Sequence, residues 1–187
     1  LHSASGQFAT AATDGIIHFW NAASGKEIGH TGAETDPIVA MSYSVDGSSL
    51  FAAYLGGSVL QWKVPDGTQI GKVMKHSEKM DALAVAPTGR ELATGCRDDY
   101  VHFWDISSDS ALPGKIRHGN PVLAISYHPD GHSIATGCDD HTARIWSLEK
   151  GEQSGEPFYL NGRATAVRYT AGDSELTVGG VEDTEVN

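Results

Sequence analysis

The chain has little positive charge and no long apolar segment. Its 187 residues include 13 Lys and Arg against 24 Asp and Glu, a formal net charge of −11. This balance argues against nucleic acid as a partner, because binding to phosphate backbones depends on clustered Lys and Arg. No stretch approaches the ~20 consecutive apolar residues that a membrane-spanning helix requires. We therefore expect a soluble chain that binds neither nucleic acid nor a membrane.

Cysteine is also scarce. The only two cysteines are Cys96 and Cys138, which lie 42 residues apart. Cysteine is among the residue types most often buried, so two buried free thiols are the simplest interpretation. Reduced thiols are typical of proteins in the cytosol, and we expect a cytoplasmic location.

Motifs for catalysis and cofactor binding are missing. None of the 22 glycines forms a phosphate-binding loop or a dinucleotide fingerprint. Serine nucleophile elbows and protein-kinase motifs are absent as well. The nine histidines show no close ligand spacing with Cys or Glu on a helix or loop. The sequence therefore predicts a protein that is not an enzyme and that has no metal ion and no cofactor.

The chain does contain an internal repeat. Its four tryptophans, Trp20, Trp62, Trp104 and Trp146, are spaced by 42 residues each time. Before Trp146, the sequence shows an alternating segment, an apolar segment and a third short segment, which are separated by the turns at 129–131 and 139–141. This pattern predicts three short strands joined by tight turns. A period of about 40 to 45 residues that ends in Trp is typical of four-stranded propeller blades.

On these residues the chain resembles the WD-repeat β-propeller family over nearly its whole length. The resemblance implies an all-β fold with blades of four antiparallel strands. We expect units at about 1–30, 31–73, 74–115 and 116–158 and an incomplete unit at 159–187. Family members most often have seven blades, so about four and a half blades would form part of a larger ring. A blade cut at either end would leave an unpaired strand edge through which chains could associate.

The resemblance also implies a hydrogen-bonded set of His, Ser or Thr, Asp and Trp in each blade. The third unit supplies His76, Thr94, Asp98 and Trp104, and the fourth supplies His118, Thr136, Asp140 and Trp146. The first unit keeps Thr10, Asp14 and Trp20. We expect the carboxylate of Asp140 to accept a hydrogen bond from His118, and Thr136 to connect that imidazole to the indole. Buried indole and hydroxyl groups cost free energy unless they find such partners.

The second unit keeps only Trp62 of this set. Ala52 stands at the threonine position and cannot donate or accept a side-chain hydrogen bond. Trp62 should then reach water or a main-chain carbonyl. His30, in a longer turn, is an alternative source of the missing histidine.

The resemblance places a partner-binding face at one end of the blades. The position before the tetrad Asp corresponds to Thr13, Leu55, Arg97 and Asp139, and the loop entering the inner strand to Asp36, Glu78, Lys79 and Asn120. Arg97 is the strongest candidate, because Arg is enriched among interface residues that contribute most to affinity. Asp81, near the start of an inner strand, is either a binding residue or a solvated strand start, and we favour the second reading.

These observations favour a non-catalytic scaffold that presents loops to other proteins or peptides. The alternative is a regulatory or sensory propeller of a larger signalling enzyme, such as a bacterial protein kinase, whose catalytic domain lies outside this chain. That alternative is based on residues 25–29 and 67–71, whose sequences resemble those of bacterial WD-repeat arrays.

Overall fold

The computed structural model describes residues 6–170 and 175–182, and all of the regular structure in those ranges is β-strand. Residues 1–5 of the first predicted unit, and residues 171–174 and 183–187 of the last, lie outside the described residues. No helix in the described ranges is long and apolar enough to cross a membrane.

The strands form five antiparallel sheets, in which neighbouring strands mostly follow one another along the chain. The first sheet contains β1 (Gln7–Ala11), β2 (Ile17–Asn21) and β3 (Glu27–His30). The second contains β4 (Ile38–Tyr43), β5 (Ser49–Tyr54), β6 (Ser58–Lys63) and β7 (Gln69–Lys75). The third contains β8 (Met80–Val85), β9 (Glu91–Cys96), β10 (Tyr100–Asp105) and β11 (Ser110–Arg117).

The fourth sheet contains β12 (Val122–Tyr127), β13 (Ser133–Cys138), β14 (Thr142–Ser147) and the short strands β15 (Glu152–Gln153) and β16 (Phe158–Tyr159), which both pair with β14. The fifth sheet contains β17 (Gly162–Tyr169) and β18 (Leu176–Glu182). The prediction of an all-β chain that contains four-stranded antiparallel sheets is therefore confirmed, and the second and third sheets have that number of strands. Within the described ranges, no strand pairing joins the first sheet to the fifth.

The core lies between successive sheets. Ile17 and Phe19 of the first sheet share an apolar cluster with Leu50 and Trp62 of the second. Corresponding clusters lie between the second and third, the third and fourth, and the fourth and fifth sheets. The first strands β4, β8, β12 and β17 pack against one another in that order. Each sheet therefore gains its stability mainly from its neighbours, because burial of apolar surface is the dominant favourable contribution to folding.

The two ends of the sheets carry different sets of turns and loops. The turns from second to third strands in the second, third and fourth sheets, the corresponding turn between β1 and β2, and the loops that lead into β4, β8 and β12 lie at one end, which we call the upper face. It comprises residues 13–15, 36–37, 55–57, 78–79, 97–99, 120–121 and 139–141. The turns at 86–90 and 128–132 join first to second strands and lie at the opposite end, the lower face. Antiparallel order fixes this arrangement, since consecutive turns of a meander alternate between the two ends.

The turns of the upper face require a left-handed backbone at one repeating position. Gly15, Gly57, Asp99 and His141 are each 42 residues apart and all have positive φ, between 66° and 87°. At Gly57, φ is +87°, and a Cβ there would lie 2.5 Å from the carbonyl oxygen of Glu78. Glycine therefore serves two purposes at this position: it permits the turn, and it lets the second sheet approach the loop that enters the third.

We expect Gly57→Ala to lower the free energy of unfolding by about 3 kcal/mol. About 1–2 kcal/mol comes from the left-handed backbone, and a similar amount comes from the steric contact with Glu78. Gly151 is a matched control, since its φ is +67° and no atom lies within 4 Å of an added Cβ. Gly151→Ala should lower the free energy of unfolding only by the contribution of the left-handed backbone, about 1 kcal/mol. Equal losses for the two variants in urea unfolding would contradict the steric argument.

Candidate functional site

In the fourth sheet, the hydroxyl of Thr136 joins a histidine to a tryptophan. Thr136 is fully buried on β13, and its Oγ1 accepts a hydrogen bond from Trp146 Nε1 at 2.8 Å. His118 Nε2 lies 3.0 Å from the same oxygen, and the hydroxyl donates to the backbone carbonyl of Arg144 at 3.5 Å. Arg144 Nη1 donates to His118 Nδ1 at 2.9 Å, so the imidazole proton is on Nε2 and donates to Thr136. The hydroxyl therefore uses both its lone pairs and its proton.

The carboxylate of Asp140 is connected to this set through Arg144. Asp140 Oδ2 lies 3.9 Å from His118 Nδ1, too far for a hydrogen bond, whereas Arg144 Nη2 donates to it at 2.7 Å. The predicted direct hydrogen bond between Asp140 and His118 is therefore wrong. The guanidinium lies between the two groups, and it also binds the backbone carbonyl of His118 at 2.9 Å. The other oxygen, Asp140 Oδ1, accepts from the amide and the hydroxyl of Thr142 and so holds the turn.

The third sheet repeats the threonine centre with a different neighbour. Thr94 Oγ1 accepts from Trp104 Nε1 at 3.0 Å and lies 2.9 Å from His76 Nε2. Asp98 Oδ2 accepts from His102 Nε2 at 2.7 Å. His102 stands 42 residues before Arg144, so the same strand position supplies the partner of the carboxylate in both sheets. The rings of His76 and His102 meet edge to face, with centroids 4.8 Å apart.

The first sheet keeps the contact between threonine and tryptophan near the surface. Thr10 Oγ1 accepts from Trp20 Nε1 at 2.8 Å, and Asp14 Oδ1 accepts from the amide of Ile16 at 3.0 Å. Thr10 is exposed and Trp20 only half-buried, so water can also reach this indole. The contact therefore contributes less than its buried counterparts.

The second sheet buries an indole without a partner. Trp62 is 4% exposed, and neither its Nε1 nor the hydroxyl of Tyr54 has a hydrogen-bond partner within residues 6–170 and 175–182. Burial raises the pKa of Tyr54 to about 12. The prediction that Trp62 reaches a main-chain carbonyl is wrong, because its buried Nε1 atom has no such partner in the described residues and the polar group near the indole is the hydroxyl of Tyr54. The alternative that His30 replaces the missing histidine is also wrong, since His30 lies opposite His18 in the first sheet.

Burial controls the charge of the two central histidines. His76 and His118 are 8% and 6% exposed. Burial lowers the pKa of each imidazole to about 4, with a smaller contribution from His102 for His76 and from Arg144 for His118. Both histidines are therefore neutral at neutral pH, and for His118 the hydrogen bond accepted from Arg144 requires this as well.

We expect the free energy of unfolding to fall by about 3 kcal/mol between pH 7 and pH 5. Below pH ~6.5 the unfolded chain binds protons at His76 and His118, and the folded chain does not until about pH 4. Each histidine contributes up to about 1.4 kcal/mol per pH unit in this window. Asp46, whose pKa is lowered to about 2 mainly by the Ser44 hydroxyl, changes the free energy of unfolding only at lower pH.

Urea unfolding at a series of pH values measures this dependence. The double variant His76→Gln/His118→Gln should remove most of it. His132→Gln, on the exposed lower face, should keep it. A flat profile between pH 7 and 5, or an unchanged slope in the double variant, would contradict the assignment.

At the upper face, Arg97 forms an ion pair with Asp81. Its Nε and Nη2 donate to the two carboxylate oxygens at 2.8 and 3.1 Å. The Asp81 side chain is only 16% exposed, whereas that of Arg97 is 50% exposed. The expectation that Asp81 is a solvated strand start is wrong, because its carboxylate is mostly covered and paired. Sequence reasoning missed this pair, although Asp81 and Arg97 stand at the matching ends of β8 and β9.

The charges continue across the upper face into the next sheets. Asp139 is close enough to Arg97 to act on its charge, and Arg163 Nη1 is 3.7 Å from Asp139 Oδ1. Asp81, and more weakly Asp139, raise the pKa of Arg97. Asp81, Arg97, Asp139 and Arg163 thus form a row of alternating sign, which we call the charged row.

The other predicted face residues lie at the same end. Thr13, Glu78, Lys79 and Asn120 are exposed. Leu55 is half-buried, and its backbone pairs with Pro37 and Met80. Asp36 Oδ2 accepts from the amide of Gly56 at 2.6 Å, so this carboxylate is used inside the chain. The exposed polar groups among the eight predicted positions are therefore those of Thr13, Glu78, Lys79, Arg97 and Asn120.

The two cysteines occupy corresponding places at the ends of β9 and β13. Cys96 and Cys138 are free and fully buried, as expected. Burial raises the pKa of Cys138 to about 12 and raises that of Cys96 as well. Both thiols therefore remain protonated and unreactive at neutral pH.

Comparison with known proteins identifies two repeats. The family model "WD domain, G-beta repeat" matches residues 67–105 and 113–147. The first match begins just before β7 of the second sheet and ends with β10 of the third, so a sequence repeat contributes strands to two sheets. The matched segments contain the two complete sets that end in Trp104 and Trp146. The chain matches no curated protein.

Proposed function

We propose that this chain, in which two segments match the WD-repeat model, is a WD-repeat scaffold that binds another protein or a peptide on its upper face. WD40 repeats commonly mediate protein–protein interactions, and domains built from them are typically non-catalytic. The observation that supports this function best is the half-exposed Arg97, held in place at the centre of the charged row.

Arg97 is suited to recognition because its guanidinium is fixed before a partner arrives. Two of its three nitrogens donate to Asp81, and Nη1 makes no hydrogen bond within the described part of the chain. A side chain that is already ordered loses little conformational entropy on binding. Its remaining donors can then form charge-assisted hydrogen bonds with a carboxylate of the partner.

The charges around Arg97 define the chemistry of that partner. Lys79 and Arg163 add positive charge, whereas Glu78 and Asp139 add negative charge at the same face. We infer a peptide or loop with an acidic residue opposite Arg97 and basic residues beside it. Charges at the rim of such an interface affect mainly the association rate and the choice of partner.

The proposed function also involves a larger assembly and a cellular compartment. We infer that the five sheets belong to a larger ring, in which the first strands surround the axis. The two buried, free thiols support a cytoplasmic location. The same upper face would serve a propeller that regulates an attached enzyme, which is the alternative raised by residues 25–29 and 67–71.

We expect a photo-crosslinking residue at position 120 to capture the partner and one at position 88 to capture none. Asn120 and Thr88 are both exposed, but they lie on the upper and lower faces respectively. Arg97→Ala should then weaken the affinity for the captured partner about tenfold, since residues central to an interface often contribute more than 1 kcal/mol.

Two variants serve as controls for this measurement. Arg90→Ala removes an exposed arginine from the lower face and should leave the affinity unchanged. Asp81→Asn keeps the guanidinium but weakens its support, so it should cause a smaller loss than Arg97→Ala. An affinity that does not respond to Arg97→Ala would contradict the proposed face.

A further inference from the structure

Two histidines and a glutamate meet on the outer strands of the first sheet. His18 on β2 lies directly opposite His30 on β3. Glu27 Oε1 lies 3.0 Å from His18 Nδ1 and 3.1 Å from His30 Nδ1. One carboxylate oxygen therefore faces a ring nitrogen of each imidazole, and one ligand atom from each residue lies within 4.8 Å of the other two.

An irregularity in the strand pairing creates this arrangement. In a regular strand, Glu27 and His30 would point to opposite faces, because side chains alternate. The register shifts between Phe19, which pairs with Gly29, and Trp20, which pairs with Glu27. The extra residue on β3 turns Glu27 to the side of the two histidines, as β-bulges commonly do.

The spacing of these groups matches that of metal ligands. Zinc binds imidazole nitrogen at about 2.0–2.1 Å and carboxylate oxygen at about 2.0–2.2 Å, so tetrahedral ligands lie roughly 3.3 Å apart. The two distances from Glu27 are close to this value. We propose that His18, Glu27 and His30 form a binding site for a divalent transition-metal ion, with Zn²⁺ as the ion that best fits these ligands.

The three side chains are accessible from solvent. The side chains of His18, Glu27 and His30 are 31%, 38% and 63% exposed, so an ion can enter from solvent. Three protein ligands leave a fourth position for water or for a group from a partner.

Two other groups of potential ligands in the described ranges are less suitable. One contains His118 and Cys138, but the guanidinium of Arg144 already occupies the space beside that imidazole. The other contains His76 and Cys96, whose nitrogen and thiol are buried. A metal at either place would have to deprotonate a buried thiol, and burial raises the pKa of both thiols.

Sequence reasoning missed this site because its signal is weak. His18 precedes Glu27 by nine residues, and His30 follows Glu27 by three, which matches no common ligand motif on a helix or loop. The strand pairing and the irregularity in β3 bring the residues together, and neither is visible in the spacing.

Titration of the purified, chelator-treated 187-residue chain with Zn²⁺ and with Co²⁺ tests the site. Calorimetry should show one equivalent bound. The variants His18→Gln, Glu27→Gln and His30→Gln should each weaken the Zn²⁺ affinity at least about tenfold. His132→Gln, another exposed histidine, is the matched control and should bind as the unmodified chain does.

The Co²⁺ spectrum separates this site from the cysteine-containing groups. We expect visible absorption bands without the near-ultraviolet charge-transfer band that a thiolate ligand produces. The melting temperatures of the metal-free variants should match that of the unmodified chain, which shows that lost binding does not reflect lost folding. Absence of binding, a thiolate band, or an affinity that is unchanged in Glu27→Gln and His30→Gln would overturn the proposal.

Discussion

The structure depends on how a buried indole N–H finds a hydrogen-bond acceptor. In the third and fourth sheets, a fully buried threonine hydroxyl supplies that acceptor for Trp104 and Trp146. A hydroxyl has two lone pairs and one proton, so it can also accept from a histidine and donate to a main-chain carbonyl. One small side chain thereby joins the second strand, the third strand and the loop that leads into the first. The hydroxyl, the indole N–H and the imidazole nitrogen that meet at this centre are all paired, as groups in a low-dielectric interior need to be.

Much of this organisation could be predicted because it repeats. The spacing of the tryptophans indicated sheets of one size, and the alternating segments between them indicated the strands. The partners of the turn carboxylates could not be predicted, because they depend on which residue fills one position of the third strand. Asp140 binds Arg144 in the fourth sheet, whereas Asp98 binds His102 in the third. The unpaired indole of Trp62 and the orientation of the Glu27 side chain could not be predicted either. Each depends on packing or on strand register, and the 42-residue repeat carries no information about them.

The rigid centres of the sheets bear directly on the proposed function. The turns of the upper face are held by carboxylates that bind their own backbone amides, and Arg97 is held by Asp81. A partner would then meet charged groups whose positions are already fixed, and little binding free energy would be lost to ordering them. The proposed metal site lies on the outer strands of the first sheet, where exposed side chains can respond to an ion without disturbing the core.

Comparison of Thr136→Val with Thr10→Val tests the central claim most directly. Valine keeps the shape of threonine but removes the hydroxyl, so Thr136→Val would leave the indole of Trp146 and the imidazole of His118 without their acceptor in a buried place. We expect the free energy of unfolding in urea to fall by about 3 kcal/mol for Thr136→Val. Thr10→Val should cost less than about 1 kcal/mol, because Trp20 is partly exposed to water. Equal and small losses for both variants would contradict the role of the threonine centre.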